Sequence, residues 1–263
     1  MTRIIAIAMQ KGGVGKTTTT INLAAALAQK GKRVLAVDLD AQGNLTQHAG
    51  FDPERLSPTI YDALKAEVEG YQGDAGDAIY ETAEKFHLLP SQPELSFVEV
   101  SLINTLSREQ ILGTILASLK AHYDFILIDC SPSLGLLVIN ALTAADSVVI
   151  PIQTDYLAAR GAFMILSSIE TVRRKKLNPD LEIEGILLTM ADTRTNLAQE
   201  IQQAVSTQYG DGIRIFEPII RRSVRFGESA AAGQSILTYD PTGPGAEAYR
   251  QVADAILEGT DHG

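Results

Sequence analysis

Ile4-Ile5-Ala6-Ile7-Ala8-Met9-Gln10-Lys11-Gly12-Gly13-Val14-Gly15-Lys16-Thr17-Thr18 decides the fold: a short apolar run, a glycine-rich loop with two lysines, then hydroxyl residues that open a helix. Glycines at 12, 13 and 15 let the backbone turn tightly and aim successive N–H groups at phosphate oxygens. A helix starting near Lys16 adds the positive end of its dipole. Lys16 is then placed to reach the β- and γ-phosphates of a nucleotide, and the Thr17 hydroxyl can join a Mg²⁺ shell. The usual spacing G-x-x-x-x-G-K-[ST] requires glycine where this chain has Gln10, so the loop is a variant, K-G-G-V-G-K-T, with an additional lysine, Lys11.

The chain has 263 residues, 45% of them hydrophobic, enough for one large α/β domain, or two small ones, with an ample core. Its one cysteine, Cys130, excludes an intrachain disulfide and points to a reducing compartment. The N-terminal apolar stretch is six residues long and runs straight into the phosphate loop, so it reads as neither signal peptide nor membrane span, and a cytoplasmic location is expected. A net charge of −10 argues against a generic nucleic-acid coat; any DNA binding needs a concentrated basic patch.

Strands and helices alternate along the chain. Thr18 to Lys30 carries Ile21, Leu23, Ala24, Leu27 and Ala28 at helical spacing, and Gly31 supplies the stop. Short, continuously apolar runs at Val34–Val37, Phe125–Ile128, Val148–Ile152 and Ile186–Thr189 read as strands covered on both sides. The pattern predicts an α/β fold, a mostly parallel twisted sheet with helices on both faces, whose ligands bind at the carboxyl ends of the strands. The acidic, glycine-containing stretch Ala66–Gly76 reads as a surface loop facing a partner.

Two acidic sites fall at strand ends. Asp124-Phe125-Ile126-Leu127-Ile128-Asp129 is a buried strand ending in an acid, the Walker B arrangement, and Asp129 is the candidate Mg²⁺ ligand, directly or through water. By itself a strand-terminal Asp is also a common turn former. Cys130 reads as a packed small residue, because no basic group adjacent in sequence would lower its pKa. In Val37-Asp38-Leu39-Asp40-Ala41-Gln42-Gly43-Asn44, alternation along an extended segment puts Asp38 and Asp40 on one side, facing the phosphates, where one of them can order the attacking water. A paired-acid turn capping the next helix is the alternative.

The loop K-G-G-V-G-K-T resembles the deviant Walker A box of the ParA/MinD family of ATPases. The resemblance continues through Ser131-Pro132-Ser133-Leu134-Gly135-Leu136, Asn140-Ala141-Leu142, Ile152-Gln153-Thr154-Asp155-Tyr156, Thr189-Met190-Ala191-Asp192-Thr193-Arg194-Thr195-Asn196, Tyr239-Asp240-Pro241 and Gly245-Ala246-Glu247-Ala248-Tyr249. It covers effectively the whole chain, residues 1–263 as a single ATPase domain. It is similar to the small, Soj-like ParA type, with no room for the N-terminal helix-turn-helix domain of longer members.

The resemblance implies a P-loop NTPase fold with ATP and Mg²⁺ as cofactors, and a nucleotide-sandwich homodimer in which Lys11 reaches the partner's phosphates. It implies nucleotide contacts from Gly12, Gly13, Val14, Gly15, Lys16, Thr17, Thr18 and Met190, a hydrolytic role for Asp40, and Asp38 close to the metal-bound water. Thr17, Asp129 and Asp38 would then form the metal environment, and Lys11, Lys16, Asp38 and Asp40 the catalytic set. The family's D-x-D-P-Q-G has Ala41 here in place of proline, which loosens the switch segment, and its I-P-R-N reads Ile220-Arg221-Arg222-Ser223, which alters contacts to the adenine.

In the family the ATP-bound dimer binds DNA without sequence preference, and the matching positions are Arg194 and Arg222, with Arg221 and Arg225 adding charge. The run Arg173-Arg174-Lys175-Lys176 has no assigned role. The expectation is a slow ATPase that positions a plasmid, chromosome or protein organelle on the nucleoid, stimulated by a ParB-like or adaptor partner. Two other classes fit less well. The C-terminal residues 247–262 have Arg250 as their only lysine or arginine, against a membrane-binding helix, and one cysteine is too few for a shared iron–sulfur cluster. A metabolic ATP-dependent ligase on the same fold, without DNA binding, remains the alternative.

Overall fold

The computed structural model describes residues 2–71, 75–133, 135–154, 158–191, 203, 207 and 212–260. In chain order the elements are β1 (Arg3–Ile7), α1 (Lys16–Gln29), β2 (Val34–Leu39), α2 (Asn44–His48), α3 (Ile60–Glu69), β3 (Tyr80–Glu81), β4 (His87–Leu89), α4 (Leu95–Leu102) and α5 (Ile111–Leu119). They continue with β5 (Phe125–Cys130), α6 (Leu136–Ala144), β6 (Ser147–Gln153), α7 (Ala158–Arg174), β7 (Glu182–Ala191), β8 (Ile220–Arg221), α8 (Val224–Ala231), α9 (Ile236–Tyr239) and α10 (Pro244–Thr260).

Among the described residues the strands form one sheet in the order β3-β4-β2-β5-β1-β6-β7-β8, in which β3 is antiparallel to β4 and every other pairing is parallel. All five strands read from apolar runs are present. The three short ones, β3, β4 and β8, are additions: two or three residues carry no periodicity, and they are strands only because neighbours pair with them.

Period-2 alternation sorts the side chains into two cores. In β1, Ile4 and Ala6 pack under α3 to α7, while Ile5 and Ile7 pack under α1, α9 and α10. The same alternation runs through β2 and β5, so Asp38 and Asp129 fall in step with Ala36 and Leu127, on the α1 side. Strand pairing brings them together: Asp129 lies in register with Ile7 of β1 on one side and with Asp38 of β2 on the other. The carboxyl end of the central strands is therefore built around Asp129.

One predicted loop is shorter than expected. Residues 66–69 form the last turn of α3, which ends on Gly70 at φ 75°, and Ala75–Ala78 is a tight helical turn whose Ala75 and Ala78 are buried in the core. Gly70 marks where the helix stops, and the two alanines are small enough to pack into the core. In α10, Ala246, Tyr249, Val252, Ala253 and Ile256 are buried in the core that it shares with α1. Its apolar stripe is thus already covered, and among the described residues no helix is long and apolar enough to cross a membrane.

Candidate nucleotide site

The phosphate loop leaves β1 and closes on the first turn of α1. Gly13 and Gly15 adopt φ values of 72° and 89°, conformations that side chains rarely take. Gly15 caps α1 without a side-chain hydrogen bond, and no acid sits in the first turn, which leaves those N–H groups to an anion. Lys16 is buried and its Nζ donates to the carbonyl of Lys11 at 3.2 Å, drawing the loop around the ammonium. Burial lowers the Lys16 pKa, against the opposing pull of Asp129, Cys130 and Asp40. From β7, Thr189 Oγ1 donates to the Val14 carbonyl at 2.8 Å and holds the loop from the other side. Gln10, standing where the usual box has glycine, spans to α7 through Nε2 and Ser168 Oγ at 3.2 Å.

Thr17 Oγ1 donates to Asp129 Oδ2 at 2.7 Å, and Thr20 Oγ1 lies 3.2 Å from Oδ1. The sequence reading does not single out Thr20, although its i,i+3 spacing from Thr17 puts both hydroxyls on one face of α1. Burial, then the neighbouring Asp38, raise the Asp129 pKa to about 8, against the Thr17 hydrogen bond and Lys16. Cys130 beside it is fully buried and burial pushes its thiol up, in keeping with a packing role.

Asp38 and Asp40 do not share an environment. Asp38 is buried; its Oδ2 accepts from both the N–H and the hydroxyl of Thr46, at 2.9 and 2.7 Å, and burial raises its pKa to about 6 despite them. Thr46, itself fully buried, also accepts from the N–H of Ser91 at 3.0 Å. Asp40 lies past the end of β2, where alternation no longer applies, and its Oδ1 accepts from the N–H of Gln42 at 3.0 Å. It lines a cleft of about 630 Å³ together with Gly12, Gly13, Gly15, Lys16, Thr17, Thr18 and Met190. Met190 sits there at φ 53°. Neither Val14 nor Lys11 lines this cleft, each being tied into the loop through its main-chain carbonyl, whereas His48, Ala230 and Ala231 close its wall, which no local motif announced.

The oxygen set suits a hard cation. A hydroxyl and a buried carboxylate in contact, beside a second buried carboxylate, match Mg²⁺, which takes one or two protein oxygens and completes its shell with phosphate and water. Among the described residues no group of three or more His, Cys, Asp or Glu is arranged to hold a metal by itself.

The arginines lie along one edge. Arg221 ends β8, the Arg222 N–H donates to the Ala191 carbonyl at 3.2 Å, and Arg225 on α8 pairs with Glu228 at 3.0 Å. All three line a second cleft of about 650 Å³ with Phe226 and Asp240. Arg194 lies outside the described residues. Of the run 173–176, Arg173 serves the fold: its Nε donates to the Leu181 carbonyl at 2.6 Å, fastening the end of α7.

Comparison with known proteins agrees with this geometry. The AAA domain family matches residues 2–183. The sporulation initiation inhibitor protein Soj of Bacillus subtilis is 45% identical over 257 residues, spanning 97% of this chain and 98% of that protein. The chromosome-partitioning ATPase Soj of Thermus thermophilus is 43% identical over 97% of this chain and 95% of its own length. Among solved structures, cobyrinic acid a,c-diamide synthase from Mycobacterium smegmatis, with a bound ATP analogue and magnesium, superposes with a TM-score of 0.84 at 37% identity, covering 100% of this chain and 97% of that one.

Proposed function

The chain belongs to the Soj/ParA family of P-loop NTPases, and from that premise we propose that it is an Mg²⁺-dependent ATPase, a single 1–263 unit that positions a cargo on DNA. The observation that carries the reading is the phosphate loop itself, which Lys16 closes through the main-chain carbonyl of Lys11, a bond that does not use the Lys11 side chain. In this reading two chains close face to face, each holding ATP, and Lys11 of one contacts the phosphates of the other. Loop N–H groups and Lys16 bind the phosphates, Met190 lies along the nucleotide, and Asp40 at the cleft wall orients the attacking water. Thr17 and Asp129 would hold Mg²⁺, with Asp38 behind them; when bound, the cation would offset the negative charge that develops on the phosphates during hydrolysis.

The closed dimer doubles the arginine edge formed by Arg221, Arg222 and Arg225, joined by Arg194, and binds DNA through phosphates without reading sequence. A ParB-like or adaptor partner stimulates an otherwise slow hydrolysis and releases the dimer, and the protein works in the cytoplasm at the nucleoid. The identity to the synthase supports a second reading, an ATP-dependent ligase with no use for DNA. DNA retention measured with ATP, ADP or no nucleotide over a salt series separates the two. ATP-dependent, salt-sensitive retention is expected; retention that ignores ATP, or none at low salt, overturns the partition reading.

A further inference from the structure

The loop between β5 and α6 begins after Cys130, one residue past Asp129, and a carboxylate from a distant helix reaches its far end. Leu137 in the first turn of α6 donates its N–H to Glu99 Oε1 of α4 at 3.3 Å. Gly135 makes the room: a Cβ there would lie 2.8 Å from the Glu99 carboxyl carbon and overlap its oxygen. Gly135 caps α6 at φ −83° without a side-chain bond of its own, so its backbone would tolerate another residue, and a Cβ there would push the flexible Glu99 carboxylate off the Leu137 N–H. An acid at that end also complements the helix dipole.

Both sides of the contact are fastened independently. Leu95, Val98 and Leu102 seat α4 in the core, and Ser91, four residues before α4, donates its N–H to Thr46, which in turn donates to Asp38. On the far side, Asn140 holds the body of α6: its Oδ1 accepts from the Leu112 N–H at 3.0 Å, and its Nδ2 donates to the Arg108 carbonyl at 2.8 Å. The Glu99 contact therefore bears on the loop's landing point, not on whether α6 forms.

We infer that Glu99 is a positioning residue for hydrolysis: its carboxylate fixes where the segment after Asp129 joins α6, and so sets that segment relative to the network holding Asp38. The inference rests on the ATPase reading above for its consequence, and on the contact alone for its geometry.

Backbone hydrogen exchange on the full chain, with and without Mg·ATP, tests the geometry whether or not the chain hydrolyses ATP. In Glu99→Ala, amides 135–137 should exchange roughly five- to tenfold faster while 139–144 stay protected, and Glu99→Gln, whose amide oxygen still accepts, should stay close to the parent. Parent-like exchange at 135–137 in Glu99→Ala overturns the inference, as does acceleration spread evenly through α5 and α6. Turnover tests the consequence: kcat should fall roughly five- to tenfold in Glu99→Ala with KM for ATP within about twofold, and recover in Glu99→Gln. Faster loop exchange with parental kcat sinks the positioning role. Gly135→Ala approaches the same contact from the other side; its defect should shrink when combined with Glu99→Ala, and simple addition of the two defects counts against the inference. If the parent shows no ATPase activity at all, the functional reading fails while the exchange result still decides the contact.

Discussion

Thr17 and Asp129, 112 residues apart, are joined by a 2.7 Å hydrogen bond that ties the first turn of the phosphate-loop helix to the end of the neighbouring strand. That bond sits among charges whose balance depends on pH. The folded chain holds protons on Asp38 up to about 6 and on Asp129 up to about 8, whereas unfolded aspartates ionise near their ordinary 3.8. Across that span the folded state binds more protons than the unfolded one, so these groups make stability fall as pH rises. Buried His48, lowered to about 4 from 6.5, acts in the opposite sense below 6.5. Asp124, held low by Arg33, acts below the ordinary carboxylate range.

Lys16, which burial lowers below 10.5, acts in the opposite sense on the alkaline side, and between pH 6.5 and 8 Asp129 leads, facing Asp38, Lys16 and Asp40. Melting temperature without nucleotide should fall across this window, and Asp129→Asn should flatten the fall. Mg·ATP, which favours the ionised carboxylates, should stabilise the protein more at pH 8 than at pH 6.5. Thermal melts at fixed ionic strength measure all three; a parent curve that rises through the window would refute the assignment.

Lys16 bonds the main-chain oxygen of Lys11, so removing the Lys11 side chain leaves the loop's internal bond in place. Lys11→Ala should bind ATP within about threefold of the parent and lose ATP-dependent dimerisation, since the side chain's proposed contact is to the second subunit. Light scattering with ATP measures the dimer, and an unchanged dimer would exclude the crossing lysine.

Asp40 is beyond the strand and lines the cleft, while Asp38 is buried and bonded to Thr46. Asp40→Ala should therefore keep ATP binding and dimerisation and lose about 100-fold or more in turnover, the scale of a misplaced general base or water-orienting group. Parental turnover would move that role to another residue.

Thr46 satisfies two buried partners, accepting from the Ser91 N–H and donating to Asp38. Thr46→Val removes both hydroxyl bonds at nearly constant volume, and should cost roughly 1–3 kcal/mol, because the buried Ser91 N–H loses its partner while Asp38 keeps the main-chain N–H of residue 46. Denaturant unfolding checks it; a loss below about 1 kcal/mol would show that water replaces the hydroxyl.

The Arg225–Glu228 pair partly neutralises the arginine edge. Glu228→Gln should strengthen ATP-dependent DNA retention and Arg222→Glu should abolish it with the dimer intact. For each DNA phosphate that a variant no longer neutralises, the salt slope of log K should become shallower by about 0.9. Equal retention by Arg222→Glu would remove this edge from the DNA surface.

Much of the site was legible because its parts are local. The glycine-rich loop, the lysines at 11 and 16, and an acid closing a buried apolar strand are read within a few residues. What escaped was long-range: Thr46 against Ser91, Thr189 against Val14, Glu99 against Leu137. Each is a common polar residue given a role by a partner dozens of residues away. The strands β4 and β8 escaped for the same reason, being too short to show a period.

By itself, then, the chain's sequence determined the phosphate-binding loop, the five principal strands and the parallel α/β class, because backbone freedom, helix dipole and hydrophobic period act over neighbouring residues. Only the tertiary structure decided that Asp38 and Asp40 part company. Alternation holds while a strand is paired; β2 ends at Leu39, so Asp38 is fixed beside Asp129 by sheet register while Asp40 turns out to the cleft wall.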